Sequence, residues 1–254
     1  GGVHRWFQSY LSDRTQFVRS GLLTSALHAV LFGVPQGSVL GSILFILYTA
    51  DLLRLIQEHG LHPHLYADDT QIGGSCRPNS TVQLQTRVSA CVGDVAAWMR
   101  SNRLQLNSAK TETLWCASAR RQHQIPDTPL IVSSDTVTPV CSVRDLGIYI
   151  DSDLSMRTHV VRTAAGCFAV LRQLRSIRCC VSRQALQSLV VSLVLTRLDY
   201  GCATLAGAPA CLLDKLQSVM NAAARLVCSA RRSDHVTPLL HELHWLRVPE
   251  RITF

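Results

Sequence analysis

The feature that most constrains this chain is a change of character near residue 155. Before it, short β-prone runs alternate with helical stretches; from Ser155 onward no run reads as a strand. A chain patterned this way predicts an α+β fold: an antiparallel sheet with packed helices, followed by an all-helical region. The boundary falls at residue 154, giving domains of 1–154 and 155–254. Helices are expected at about 4–12, 38–59, 156–176, 182–198, 209–229 and 235–244, with another capped by Asn79 or Ser80 and striped by Val82, Val88, Cys91, Val95 and Trp98. Ser38 is the natural cap of the second helix, with Gly60 just past its end. Extended segments are expected on both sides of Gly21. Hairpins are expected at 61–74 and at "PLIV" with "VTPV". Short strands are expected at "LQLN" and "TETLWCAS", and "VRDLGIYID" is read as one strong strand.

The chain has 254 residues, 47% hydrophobic and 17% charged, which excludes disorder and supplies a sizeable core. Its net charge of +8 favours a polyanionic partner; a nucleic acid and an anionic membrane surface both meet that description. The ten cysteines show no C-x-x-C pairing and fall in part at core-like positions. They read as reduced thiols of an intracellular protein, in nucleus or cytoplasm rather than secreted. The most apolar run, "SILFILYTADLL", reaches Asp51 after about ten residues, too short to span a bilayer, and reads as a buried helix. The start "GGVHRW", without an initiator Met, reads as that of a fragment.

Two motifs raise the question of chemistry. "LYADDTQI" places Asp68 and Asp69 side by side at a turn between β-prone flanks. Aspartate is a good turn residue, so an exposed turn explains the pair. A divalent cation also explains it, because phosphoryl transfer with two metals needs carboxylates held rigidly about the ions. Just upstream, "GVPQGS" opens a helix: Gly33 and Gly37 allow close backbone approach, Gln36 offers an amide, and Ser38 stands where free N–H groups favour anions. An ordinary capped loop has the same composition. "HELHW" has its histidines three apart rather than the four a zinc peptidase needs, and reads as a surface helix. "HPH" at 62–64 reads as loop. Arg172, Arg175, Arg178 and Arg183 recur along the helical region, either as contacts to a nucleic-acid backbone or as a solvated face.

"GVPQGSVLG", "LYADD", "NSAKTETL" and "VRDLGIYID", in this order and spacing, resemble the palm motifs of reverse transcriptases, most closely those of non-LTR (LINE-type) retrotransposons. "WFQSYLSDRTQFV" is similar to the segment preceding the glycine-rich loop of that family. "RLDYG" and "LQSVMNAAARLV" look like its thumb and beyond. The resemblance implies an RNA-directed DNA polymerase that adds deoxynucleotides, taken from their triphosphates, to a DNA primer on an RNA template with two Mg²⁺ ions and no membrane. It implies that Asp68 binds the metals and that Asp69 is a nearby, weaker carboxylate. Gln36, Gly37 and Ser38 would shape the template and nucleotide site. Lys110 would meet the leaving pyrophosphate, and Leu146 and Gly147 would lie at the primer grip.

Departures accompany the resemblance. The family's other metal-binding aspartate, on an upstream strand, has no counterpart before residue 33, and the fingers are not present. Ser42 stands where proline is usual, and Gly73 and Gly74 where bulkier residues are usual. The chain is therefore expected to be an N-terminally truncated fragment, inactive in isolation. The alternative is a non-catalytic retrotransposon-derived remnant that at most binds nucleic acid. An RNA-templated RNA polymerase shares the palm, but Ala67 before the aspartates and the "PQGSVLG" loop look more like a reverse transcriptase.

Overall fold

The computed structural model describes residues 1–34, 37–132 and 135–254. Contacts within the chain group into two compact units, Gly1–Leu106 and Asn107–Phe254. Their elements are helices and short antiparallel two-stranded ladders, the α+β class that the patterning predicts.

The first unit begins with α1 (Gly2–Leu11), where Trp6 stacks on Tyr10 one turn later at a ring separation of 5.6 Å. Strands β1 (Arg14–Gln16) and β4 (His28–Val30) pair around a small hairpin of β2 (Arg19–Ser20) and β3 (Leu23–Thr24), which turns at Gly21. The helix expected over 38–59 divides into α2 (Val39–Tyr48) and α3 (Ala50–Glu58). The Thr49 hydroxyl donates back to the Phe45 carbonyl at 3.0 Å, a bond that competes with the helical ladder and bends the chain there. Strands β5 (His62–Tyr66) and β6 (Asp69–Gly73) follow as a hairpin, then α4 (Thr81–Ser101). The buried side chains lie in the later part of the unit, Leu52 and Ile56 on α3, Leu61, and Leu84, Cys91, Val92, Val95 and Ala96 on or before α4. Burial, then Asp94, raises the Cys91 thiol to a pKa of about 11, so it stays protonated as a core residue.

Two expectations for this unit are corrected. The apolar run was expected to be buried, but α2 buries no residue: Ile46 and Leu47 are each about two-thirds exposed. Nor is it short: Val39–Glu58 is long and apolar enough, by length and composition alone, to cross a membrane. The cause is that successive helical segments join end to end, so counting only to Asp51 misses α3. Gly74, expected to mark drift, is instead demanded by packing. A Cβ there would lie 2.8 Å from both Leu61 and Leu84 side chains.

The expected strand at "LQLN", where the first unit ends, does not form, and neither does the one at "TETLWCAS" in the second unit. Ser108–Lys110 is a 3₁₀ turn, and the later run contributes one bridge, Thr113 to Pro139. Strands β7 (Leu130–Val132) and β8 (Asp135–Val137) form a hairpin, but its second strand lies before the expected "VTPV" and shares only Val137 with it. "VRDLGIYID" is a hairpin rather than one strand, β9 (Ser142–Asp145) against β10 (Ile148–Asp151).

Six helices follow: α5 (Arg157–Ile177), α6 (Arg183–Val190), α7 (Thr196–Asp199), α8 (Ala210–Val227), α9 (Val236–Glu242) and α10 (Val248–Thr253). A wider π turn, Val191–Leu195, separates α6 from α7 where one helix was expected. Asp151 Oδ2 accepts the Thr158 N–H at 2.9 Å at the start of α5, satisfying one of the free donors there. The main core lies among these helices and includes Val160, Cys167, Val190, Val219 and Met220, all wholly buried. All ten cysteines are free thiols.

Candidate polymerase site

Asp68 and Asp69 are held by the β5–β6 hairpin. Tyr66 pairs with Asp69, leaving a two-residue turn of Ala67 and Asp68. Ala67 takes φ +53, a left-handed conformation that costs a non-glycine residue about 1 kcal/mol. The hairpin therefore spends local energy to hold a tip whose two carboxylates are both exposed. Its last strand residue precedes Gly74, so the stem is seated on the small core through Leu61 and Leu84.

The loop before α2 is braced from outside. Ser38 caps α2 by accepting the Gly41 N–H at 3.1 Å, and its hydroxyl also pairs with the Tyr10 hydroxyl at 2.6 Å. Arg14 donates to the Phe32 carbonyl at 3.2 Å and to the Gly33 carbonyl at 2.6 Å. Gly37 has φ +80, which suits glycine. Gln36 lies outside the described residues. Sequence reasoning missed Tyr10 and Arg14 as loop supports. The only signal was their place in "WFQSYLSDRTQFV"; nothing local shows that they reach 18 to 28 residues along the chain.

In the second unit, Lys110 ends the 3₁₀ turn and is exposed. The turn is fixed by the Thr111 hydroxyl donating to the Asn107 carbonyl at 2.9 Å and by Ser108 donating to Asp135. Beside it lies an open cleft of about 420 Å³, lined on one side by Ser108, Thr111 and Glu112 and on the other by Asp135 and Thr136. Leu146 and Gly147 form the two-residue turn of the β9–β10 hairpin, both with positive φ (+43 and +89). Next to it, Tyr149 carries Arg162 over its ring at 4.6 Å and Arg144 at 5.8 Å.

The carboxylates do not by themselves fit a pair of divalent ions. Two ions need several oxygen donors between them, and adjacent aspartates at one turn supply only two side chains. Among the described residues no group of three or more His, Cys, Asp or Glu side chains is placed to hold a metal.

Comparison with known proteins gives this arrangement its context. A family model described as reverse transcriptase (RNA-dependent DNA polymerase) matches residues 2–148, from α1 through the turn at Leu146 and Gly147. The chain is 26% identical over 256 residues to the protein named Probable RNA-directed DNA polymerase from transposon BS of Drosophila melanogaster, covering 97% of this chain and 28% of that protein. It is 25% identical to the protein named Probable RNA-directed DNA polymerase from transposon X-element of the same organism, covering 87% and 24%. It is 26% identical to the RNA-directed DNA polymerase from mobile element jockey of Drosophila funebris, covering 60% and 17%. The chain spans about a quarter of the length of the first two. No solved structure gives a significant match. The LINE-type resemblance of the motifs agrees with these relatives, and the family match covers more than half the sequence: the chain belongs to the reverse transcriptase (RNA-dependent DNA polymerase) family.

Proposed function

We propose that the chain supplies palm and thumb-like surfaces of an RNA-directed DNA polymerase and does not polymerise by itself. In this reading residues 1–154 are a partial palm and 155–254 a helical thumb and extension, a functional division distinct from that of the two compact units. The observation that carries it is the β5–β6 hairpin, which holds Asp68 and Asp69 at its tip inside the region matched by the family model.

The roles follow from position. Divalent ions, when bound in this family's reaction, neutralise charge on the phosphates; Asp68 is the side chain of this chain that would contribute, with Asp69 beside it. Gln36, Gly37 and Ser38 shape the template and nucleotide loop, and Tyr10 and Arg14 hold it. Ser38 acts through that loop, since its hydroxyl is engaged in capping. Lys110, exposed, supplies positive charge to a leaving pyrophosphate. The β9–β10 turn meets the primer. Arg172, Arg175 and Arg178 stand exposed and suit phosphate contacts, whereas Arg183 is committed to Glu242. The protein acts inside the cell, in nucleus or cytoplasm, on RNA template, DNA primer and deoxynucleotide triphosphates.

The support for inactivity is the donor set: two adjacent carboxylates do not make a two-ion site. The test is primer extension by residues 1–254 on poly(rA)/oligo(dT) with Mg²⁺, run beside a binding titration on the same primer–template at several salt concentrations. No incorporation with salt-dependent binding is expected. Clear incorporation overturns the inactivity, and failure to bind overturns the polymerase-surface reading in favour of a remnant without nucleic-acid function.

A further inference from the structure

The "RLDYG" run, Arg197 to Gly201, and the β9–β10 hairpin are about fifty residues apart in sequence and meet in the second unit. The Tyr200 hydroxyl donates to the Leu146 carbonyl at the hairpin turn. The same ring covers Gly147, where an added Cβ would lie 3.2 Å from a Tyr200 ring carbon. One residue on, Gly201 has φ +70 and abuts Ile148; a Cβ there would lie 2.6 Å from the Ile148 side chain. Two glycines thus permit the approach, one from each partner. The corner itself is pinned, because both Asp199 carboxylate oxygens accept from Arg251, at 2.5 and 2.7 Å.

The hairpin needs outside help. A two-residue turn with positive φ at both positions is favoured by Asn-Gly or Asp-Gly, whereas this turn has leucine at its first position, at φ +43. Leucine disfavours that conformation. A bond to the leucine's own carbonyl, made by a residue of the pinned corner, holds the turn where its local sequence does not.

We infer that Tyr200 is a positioning residue: with Gly147 and Gly201 it forms a latch that sets the β9–β10 turn against which a recessed primer 3′ end is seated. The seating rests on the polymerase reading above; the latch does not.

Two readouts separate them. Hydrogen exchange of peptides covering 143–151 is compared for the 254-residue chain, Tyr200→Phe and Gly147→Ala. Loss of one hydrogen bond at the turn is expected to speed exchange there about fivefold in Tyr200→Phe, with peptides of α8 unchanged. Gly147→Ala is expected to speed exchange as well, by straining the turn at φ +89 and by crowding the Tyr200 ring. Binding is then measured to a recessed primer–template and to an uninterrupted duplex of equal length. Tyr200→Phe is expected to lose the preference for the recessed end while keeping its affinity for the duplex, a split that general destabilisation does not produce. Unchanged exchange in Tyr200→Phe overturns the latch, whatever Gly147→Ala does. Faster exchange with the preference intact overturns the positioning role. If the wild-type chain binds neither nucleic acid, the polymerase reading and the seating fall together, and the exchange data still decide the latch.

Discussion

The two compact units are built to different standards. In the second, helices α5 to α10 close over a continuous core in which Val160, Cys167, Val190, Val219 and Met220 are wholly buried. In the first, nothing before Thr49 is buried among the described residues, and α2 lays an apolar surface open. Yet the first unit carries Asp68 and Asp69, exposed at the hairpin tip on which the proposed function rests. The loop before α2 is ordered by polar braces, Tyr10 to Ser38 and Arg14 to Phe32 and Gly33, while the β5–β6 hairpin rests on a small core that includes Leu61 and Leu84. The contrast shows how a site can be held locally by hydrogen bonds of about 1 kcal/mol each while bulk stability resides elsewhere.

The contrast can be broken most directly by core truncation. Leu216→Ala in α8 is expected to cost about 2–5 kcal/mol, read by urea denaturation followed at a probe in the second unit. Ile46→Ala in α2 is expected to change stability by no more than about 0.5 kcal/mol, because the side chain is already largely in water. Equal losses at the two positions would show that α2 is covered in solution.

A smaller effect tests the interior the first unit does have. Gly74→Ala is expected to cost about 1–3 kcal/mol through overpacking against Leu61 and Leu84, and to loosen the β5–β6 hairpin in hydrogen exchange. A neutral outcome would mean that this core is soft enough to absorb a methyl group.

The smallest expected effect is a pH dependence confined to the second unit. His159 is buried beside Asp151, and its Nδ1 stands 3.5 Å from the Tyr149 N–H, as acceptor. Burial lowers its pKa, and Asp151 opposes that shift without cancelling it. Folding thus favours the neutral ring, and the unfolded chain binds more protons. The stability this contributes is complete above the ordinary value near 6.5 and is lost as pH falls from there through the lowered folded value. Stability measured from pH 7.5 down to 5 is expected to fall less steeply in His159→Gln than in the wild type. Parallel slopes would sink this assignment.

Local pattern carried much of this protein. The helices α5 and α8, the Ser38 cap, the Gly60 stop and the hairpin at Asp68 were readable because each depends on neighbours a few residues away. The order of four motifs was enough to indicate the family, since each motif is a short local unit and their sequence along the chain is itself information. What local pattern could not carry were partnerships across distance. The turn at which "VRDLGIYID" folds back lies against a tyrosine and a glycine about fifty residues later, a contact no local pattern shows. Whether α2 is covered was settled by which elements pack against it. The fit of Gly74 was settled by the side chains of Leu61 and Leu84. Residue type and spacing set what each segment prefers. Which preference wins depends on contacts that close long loops, and those exist only once the chain has folded.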